Sequence, residues 1–118
     1  MRGKCEKKSQ GSEVLLQADV PIVDDATCAE KYKARGIVFD GKMQLCAGGQ
    51  QGTDTCSGDS GGAAMFLLSG VPAPAIPKFV LGGVTSFGSV KCGTGLPAVY
   101  TRVQHFLPWI INNIQFDL

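Results

Sequence analysis

The nine residues 54–62 read DTCSGDSGG and set Ser60 among three glycines. Because glycine adopts backbone conformations that other residues resist, this composition predicts a tight turn that exposes the serine hydroxyl. An exposed hydroxyl attacks a carbonyl carbon once a base takes its proton. The oxyanion that forms needs backbone N–H groups directed at it, and those of Gly58 and Ser60 can supply them. The stretch therefore predicts nucleophilic chemistry on Ser60.

Residues 58–62 also fit the pattern G-x-S-x-G, the nucleophile elbow of α/β-hydrolases. That elbow passes from a strand into a helix, whereas AAMFLL at residues 63–68 is followed by Ser-Gly and a proline-rich stretch. The elbow also needs an acid and then a histidine after the serine. The only histidine is His105, and no Asp or Glu lies between Ser60 and His105. The elbow is therefore disfavoured, and a glycine-rich turn with a chance serine remains the other interpretation.

The bulk composition predicts one small all-β domain. A chain of 118 residues can bury a real core, and its 16 glycines and six prolines indicate many turns. The formal net charge of +1 gives no reason to expect nucleic acid or an anionic membrane as a partner. No apolar run of 18 residues is present that would predict a membrane span.

The five cysteines favour disulfides over a metal site. They are Cys5, Cys28, Cys46, Cys56 and Cys92, and no CxxC pair occurs among them. A zinc site is therefore disfavoured, and no metal or cofactor is expected. Disulfides imply an oxidising compartment. The polar start of the sequence does not resemble a secretory leader, so we expect either a piece of a longer secreted protein or disulfides that never form.

The apolar and turn patterns predict five strands and two helices. A helix should begin at Asp24-Asp25 with an aspartate as its N-cap and end near Gly36. An amphipathic helix should close the chain at residues 105–116. The predicted strands are residues 14–23, 43–47, 63–68, 79–87 and 98–103, with loops at 48–62 and 71–78.

Three phrases in this order identify a family resemblance. GDSGG at residues 58–62, VTSFGSVKCG at 84–93 and PAVYTRV at 97–103 resemble the chymotrypsin/trypsin-like serine endopeptidases, and most of all the arthropod clip-domain proteases. The resemblance covers about residues 2–111. It implies the C-terminal antiparallel β-barrel of a two-barrel fold, with its first strand missing, and a C-terminal helix. Residues 1–118 would then be a partial peptidase domain that lacks the N-terminal barrel.

The resemblance also implies roles for the residues of the serine loop. Ser60 would be the nucleophile, with the N–H groups of Gly58 and Ser60 as the oxyanion hole. Asp59 would pair with the ammonium that zymogen cleavage creates, which this sequence does not contain. Asp54 would lie at the base of the specificity pocket and hold a substrate Arg or Lys by a charge-assisted pair.

The resemblance also assigns residues to the substrate groove and to the walls of the specificity pocket. Ser86, Phe87 and Gly88 match the segment that pairs its backbone with the substrate as an added strand. Phe87 stands where tryptophan is commoner. Ala98 stands where the trypsin-like members usually have glycine, so its methyl group should narrow the pocket. Ala63 is a lesser departure, since proline is usual there.

The family pattern also implies the disulfide pairing. Cys28 would pair with Cys46, and Cys56 with Cys92 across the pocket walls, while Cys5 has no partner in this sequence. Each bridge would stabilise the fold by about 3–4 kcal/mol in the loop-entropy model.

Two functions remain open at this point. In the first, the chain is the nucleophile half of a secreted trypsin-like endopeptidase, acting on protein substrates and open to macromolecular protease inhibitors. The histidine and acid of the triad would come from the N-terminal barrel, and His105 would be a surface or helix-start residue. In the second, the chain is a truncated, inactive product that acts as a binding or decoy module. In either case the isolated chain should be inactive as a peptidase.

Overall fold

The apolar segments of this chain pair into one antiparallel sheet of five strands, in the order β1-β2-β5-β4-β3. The computed structural model describes residues 12–50, 52, 59–68, 78–88 and 95–115. The elements are β1 (Ile22–Val23), α1 (Asp25–Lys33), β2 (Gln44–Gly48), β3 (Ala63–Leu67), β4 (Phe79–Phe87), β5 (Pro97–Arg102), a 3₁₀ turn (Val103–Phe106) and α2 (Leu107–Asn113). The predicted all-β class with a C-terminal helix is confirmed.

The strand predictions hold except at the first strand. β4 has its predicted bounds, and β2, β3 and β5 lie within one residue of theirs. The strand predicted for residues 14–23 is wrong for most of its length, because only Ile22–Val23 pairs with β2. Pro21 has no N–H to donate and contributes only its carbonyl, which accepts from the Gly48 N–H at 2.8 Å. Further back, Leu15 is 98% exposed, so its apolar side chain has no core to pack against in the described part of the chain.

Helix α1 begins where the predicted cap lies. The Asp24 carboxylate accepts hydrogen bonds from the Thr27 N–H at 3.1 Å and the Thr27 hydroxyl at 2.7 Å. These bonds favour the charged form and lower the pKa of Asp24. Lys31 and Lys33 lie in the last turn, where positive charge is favoured. The chain then leaves the helix through Gly36, whose φ of +75° suits glycine.

The core lies on both faces of the two central strands, β2 and β5. Side chains alternate between faces along a strand, so neighbours in sequence enter different clusters. One cluster lies under helix α1, which contributes two of its members, and consists of Cys28, Tyr32, Cys46, Leu96 and Val99. The other is formed by Leu45, Ala47, Ala64, Ala98 and Tyr100. Both faces of β2 and β5 are therefore covered.

The segment at residues 103–113 forms less regular helix than expected, and none of the side chains in its 3₁₀ turn or α2 is buried. The predicted helix at 105–116 is a 3₁₀ turn followed by α2, with Pro108 tolerated in the first turn of α2. Trp109 is 66% exposed. Within the described ranges, neither helix has the length and apolar content that crossing a bilayer requires.

Candidate active site

Ser60 lies exposed in a tight turn that closes on itself. The Gly62 N–H donates to the Asp59 carbonyl at 2.9 Å. Gly61 has a φ of +87°, a conformation that favours glycine. A Cβ on Gly62 would lie only 2.9 Å from the Asp59 carbonyl oxygen, so the turn cannot accept a side chain there without opening. Two of the three glycines of the motif, Gly61 and Gly62, are thus explained by the shape of the turn.

Strand β4 holds this turn in place. The Gly61 N–H donates to the Thr85 carbonyl at 2.9 Å, and the Thr85 N–H donates to the Gly62 carbonyl at 2.9 Å. The Thr85 hydroxyl donates to the same Gly62 carbonyl at 3.1 Å. One residue further along, the Ser86 carbonyl accepts from the Ser60 hydroxyl over 3.4 Å. The nucleophile candidate therefore lies against the strand that should bind the substrate backbone.

A β-bulge lies at this point of β4. Thr85 is opposite Tyr100 and Phe87 is opposite Val99, so Ser86 is an extra residue without its own partner on β5. Bulges commonly reorient groups beside functional sites. Here the extra residue is the one whose carbonyl meets the Ser60 hydroxyl.

Gly88 and Ala98 face each other across a narrow gap. A Cβ placed on Gly88 would lie 3.5 Å from both the Cα and the Cβ of Ala98, which is ordinary contact distance. Ala98 is only 1% exposed, and its methyl group packs in the core cluster with Leu45, Ala64 and Tyr100. The position predicted to pair with the substrate backbone and the position predicted to line the pocket are therefore neighbours.

Tyr32 of helix α1 supports both of these segments. Its ring packs edge-on against Phe87, with centroids 5.7 Å apart and an interplanar angle of 86°. Its hydroxyl donates a hydrogen bond to the carbonyl of Pro97. The helix thus contacts the residue before Gly88 and the residue before Ala98. Cys28, one helical turn earlier, forms a disulfide with Cys46 of β2, the pair that the family resemblance implies.

The structure brings together six of the predicted site residues: Asp59, Ser60, Ser86, Phe87, Gly88 and Ala98. Asp54, Gly58, Cys56 and Cys92 lie outside the described residues, and so does Cys5. The predicted disulfide between Cys56 and Cys92 stays a prediction. His105 is exposed in the 3₁₀ turn, where its ring packs against Phe106.

Sequence reasoning missed Thr85 and Tyr32. Tyr32 carried one usable signal, because it follows Cys28 by four residues and so shares a helix face with a cysteine expected to be buried. Thr85 carried none beyond its place next to Ser86. Its bonds to the serine turn are with residues more than twenty positions away.

Comparison with known proteins agrees with this geometry. The family described as Trypsin matches residues 2–110. The chain is 44% identical over 113 residues to CLIP domain-containing serine protease B4 of Anopheles gambiae, covering 95% of this chain and 29% of that protein. It is 42% identical over 114 residues to CLIP domain-containing serine protease HP8 of Bombyx mori, covering 96% and 29%. It is 40% identical over 107 residues to the Spaetzle-processing enzyme of Drosophila melanogaster, covering 90% and 26%.

The chain therefore spans less than a third of the length of these relatives. The five antiparallel strands and the C-terminal helix agree with an all-β trypsin-like barrel. The match over nearly the whole chain, together with the GDSGG turn held against β4, shows that this protein belongs to the trypsin family of serine proteases.

Proposed function

We propose that this chain is the nucleophile-bearing half of a serine endopeptidase that cleaves proteins after Arg or Lys. The observation that carries the proposal is the contact between the Ser60 hydroxyl and the Ser86 carbonyl, 3.4 Å apart. It sets an exposed hydroxyl beside a strand whose next residues, Phe87 and Gly88, can pair with a substrate backbone. A substrate bound along this edge would present its carbonyl carbon to Ser60.

The chemistry proceeds through an acyl-enzyme on Ser60. The hydroxyl oxygen bonds to the substrate carbonyl carbon while its proton passes to a histidine base. The N–H groups of Gly58 and Ser60 stabilise the oxyanion. The base then gives the proton to the leaving amine as the peptide bond breaks, and water hydrolyses the ester in a second cycle of the same steps. The histidine and the acid that orients it would come from outside residues 1–118.

Specificity for Arg or Lys is assigned to Asp54, which lies outside the described residues and which the family resemblance implies as the acid of the specificity pocket. A carboxylate held away from water forms a strong pair with a basic side chain and disfavours a neutral one. The 3.5 Å between a Cβ placed on Gly88 and the Ala98 methyl group supports placing the substrate groove next to this pocket. The Ala98 methyl group reduces the space available to the substrate side chain.

The partner of this half is an N-terminal barrel of the same protease. Two observations support it: the chain spans 29% of its relative from Anopheles, and large apolar side chains stand exposed on α2 and on the β3–β4 hairpin. Large apolar side chains exposed in such number are typical of a surface that another domain covers. The exposed residues are Met65, Leu67, Phe79, Leu107, Trp109, Ile111 and Ile114. Asp59 would bind the ammonium formed on activation.

The disulfide chemistry supports secretion as part of this proposal. The Cys28–Cys46 bridge needs an oxidising compartment to persist. An extracellular protease of this class would also meet macromolecular inhibitors, which bind the same groove as substrates.

The test is a two-barrel protein in which this chain replaces the matching segment of the Anopheles relative. After activation it should react stoichiometrically with a fluorophosphonate at Ser60 and hydrolyse Arg and Lys peptides faster than Phe or Ala peptides. The Ser60→Ala variant should do neither, and the isolated chain should not be labelled. A correctly folded two-barrel protein without labelling would overturn the proposal and favour a binding or decoy module.

A further inference from the structure

Thr85 makes an unusual set of bonds to the serine turn. It is the polar residue buried in the described part of the chain, at 7% exposure. Its carbonyl accepts from the Gly61 N–H, and its N–H and hydroxyl both donate to the Gly62 carbonyl, at 2.9 and 3.1 Å. All three bonds reach the two residues that directly follow Ser60.

The hydroxyl bond is separate from ordinary strand pairing. The two backbone bonds continue the antiparallel contact between β3 and β4, and any residue other than proline could make them. The Gly62 carbonyl already accepts from the Thr85 N–H, and the Thr85 hydroxyl is a second donor to it. Both lone pairs of this carbonyl oxygen are therefore used. Thr85 is buried and Gly62 is half-buried, so the donor side of this bond is shielded from competing water.

The position of this bond connects it to Ser60. The Gly62 N–H closes the turn on the Asp59 carbonyl, so a Gly62 peptide fixed by Thr85 also fixes the span of residues 59–62. Ser86, the next residue after Thr85, accepts the Ser60 hydroxyl. Consecutive residues of β4 therefore hold both the backbone of the turn and the hydroxyl of Ser60.

We propose that Thr85 is a positioning residue for the nucleophile: its buried hydroxyl holds the Gly62 carbonyl and thereby keeps the Ser60 hydroxyl oriented for attack. The inference rests on the proposed function, since it assigns Thr85 a part in the reactivity of Ser60. In this role Thr85 acts through the Gly62 carbonyl and takes part in no bond-making step.

Two substitutions separate the hydroxyl from the shape of the side chain. Thr85→Val keeps the branched shape and removes the donor, whereas Thr85→Ser keeps the donor and removes a methyl group. Thr101→Val is the matched control, because Thr101 lies on β5 opposite Val84 and Gln44, outside the serine turn.

The first measurement uses the isolated chain and needs no activity. Amide hydrogen exchange at Gly61 and Gly62 should be about 3- to 10-fold faster in Thr85→Val, the range expected for one neutral hydrogen bond. Thr85→Ser and Thr101→Val should exchange like the unmodified chain. Equal exchange in Thr85→Val and the unmodified chain would overturn the proposal.

The second measurement uses the two-barrel protein described above. Thr85→Val should lower kcat about 3- to 10-fold while KM and the affinity for benzamidine stay unchanged, and Thr85→Ser should restore kcat. A parallel loss of benzamidine affinity would mean general loosening and would overturn the positioning role, as would an unchanged kcat. If the unmodified two-barrel protein is not labelled at Ser60, the proposed function fails on its own, and exchange at Gly61 and Gly62 decides whether Thr85 holds the turn.

Discussion

The hydroxyl of Tyr32 donates a hydrogen bond to the carbonyl of Pro97, 65 positions away in the chain. Tyr32 is 1% exposed, so this bond forms in the interior and joins helix α1 to the start of β5. A buried carbonyl that loses its donor keeps the cost of its own desolvation. The bond therefore bears on stability as well as on the shape of the site.

Removing the Tyr32 hydroxyl should destabilise the fold. We expect Tyr32→Phe to lower the free energy of unfolding by about 1–3 kcal/mol, because the buried Pro97 carbonyl is left without this donor. Tyr32→Leu should cost more, since it also removes the edge-on contact with Phe87. Urea unfolding of the isolated chain measures both. Equal midpoints for Tyr32→Phe and the unmodified chain would show that the carbonyl finds another donor.

Removing the Cys28–Cys46 bridge should also destabilise the chain. The two cysteines are separated by 18 positions. A loop of that length corresponds to about 3 kcal/mol in the chain-entropy model. We expect the double variant Cys28→Ala/Cys46→Ala to lose about that much in urea unfolding under non-reducing conditions. Added reductant should leave the unfolding midpoint of the double variant unchanged, because the bridge is already absent. The unfolding midpoint of the unmodified chain should fall on reduction toward that of the double variant.

Enlarging the pocket should raise activity toward basic substrates. In the two-barrel protein, Ala98→Gly removes the methyl group that lies at contact distance from the position of a Gly88 Cβ. We expect kcat/KM for Arg or Lys peptides to rise, by up to the roughly 1–3 kcal/mol that one methyl group contributes to pocket discrimination. Gly88→Ala makes the opposite change and should lower it. Unchanged kinetics in both variants would remove these two residues from the pocket.

Asp54 should determine the preference for a positive substrate side chain. In the two-barrel protein, Asp54→Ser should lower kcat/KM for Arg and Lys peptides, by an amount that corresponds to several kcal/mol of lost transition-state stabilisation. The substrate charge would lose its water without gaining a partner. Activity on Phe and Ala peptides should change little. The control is Glu30→Ser, which removes the same charge from the exposed side of α1. A preference for Phe or Ala in the unmodified protein would contradict the assignment.

The Asp24 cap should make stability fall in acid. Hydrogen bonds from Thr27 lower the pKa of Asp24 below its usual 3.8. A lowered pKa stabilises the fold above the pKa of the unfolded chain, and this contribution is lost as the pH falls through the lower folded value. Asp24→Asn keeps a capping oxygen but does not titrate. Urea unfolding between pH 7 and pH 2 should therefore show a shallower loss below about pH 4 for Asp24→Asn than for the control Glu30→Gln.

Local signals in the sequence predicted the serine turn and most of the strands. GDSGG required a glycine turn, and the apolar run at Phe79–Phe87 matches β4 at both ends. The segment at residues 14–21 shows why such patterns can fail. An apolar run pairs as a strand only if a partner edge meets it, and that depends on the rest of the fold.

The supports of the site could not be predicted because they are long-range. Tyr32 reaches Pro97 across 65 positions, and Thr85 reaches Gly62 across 23. Neither residue type nor spacing specifies such contacts. They depend on the register between β3, β4 and β5, which the chain sets only on folding.

Because Ser86 is an extra residue in β4, the side chains of Thr85 and Phe87 lie on opposite faces of the sheet. Thr85 is opposite Tyr100 and Phe87 is opposite Val99, and Tyr100 and Val99 belong to the two different core clusters. In a regular strand, Thr85 and Phe87 would share one face. The added residue instead turns Phe87 toward Tyr32 while Thr85 stays with the serine turn. A single strand thus packs against Tyr32 through Phe87 and holds the serine turn through Thr85. Both contacts require one residue between Thr85 and Phe87, whereas they place less demand on which residue stands at position 86.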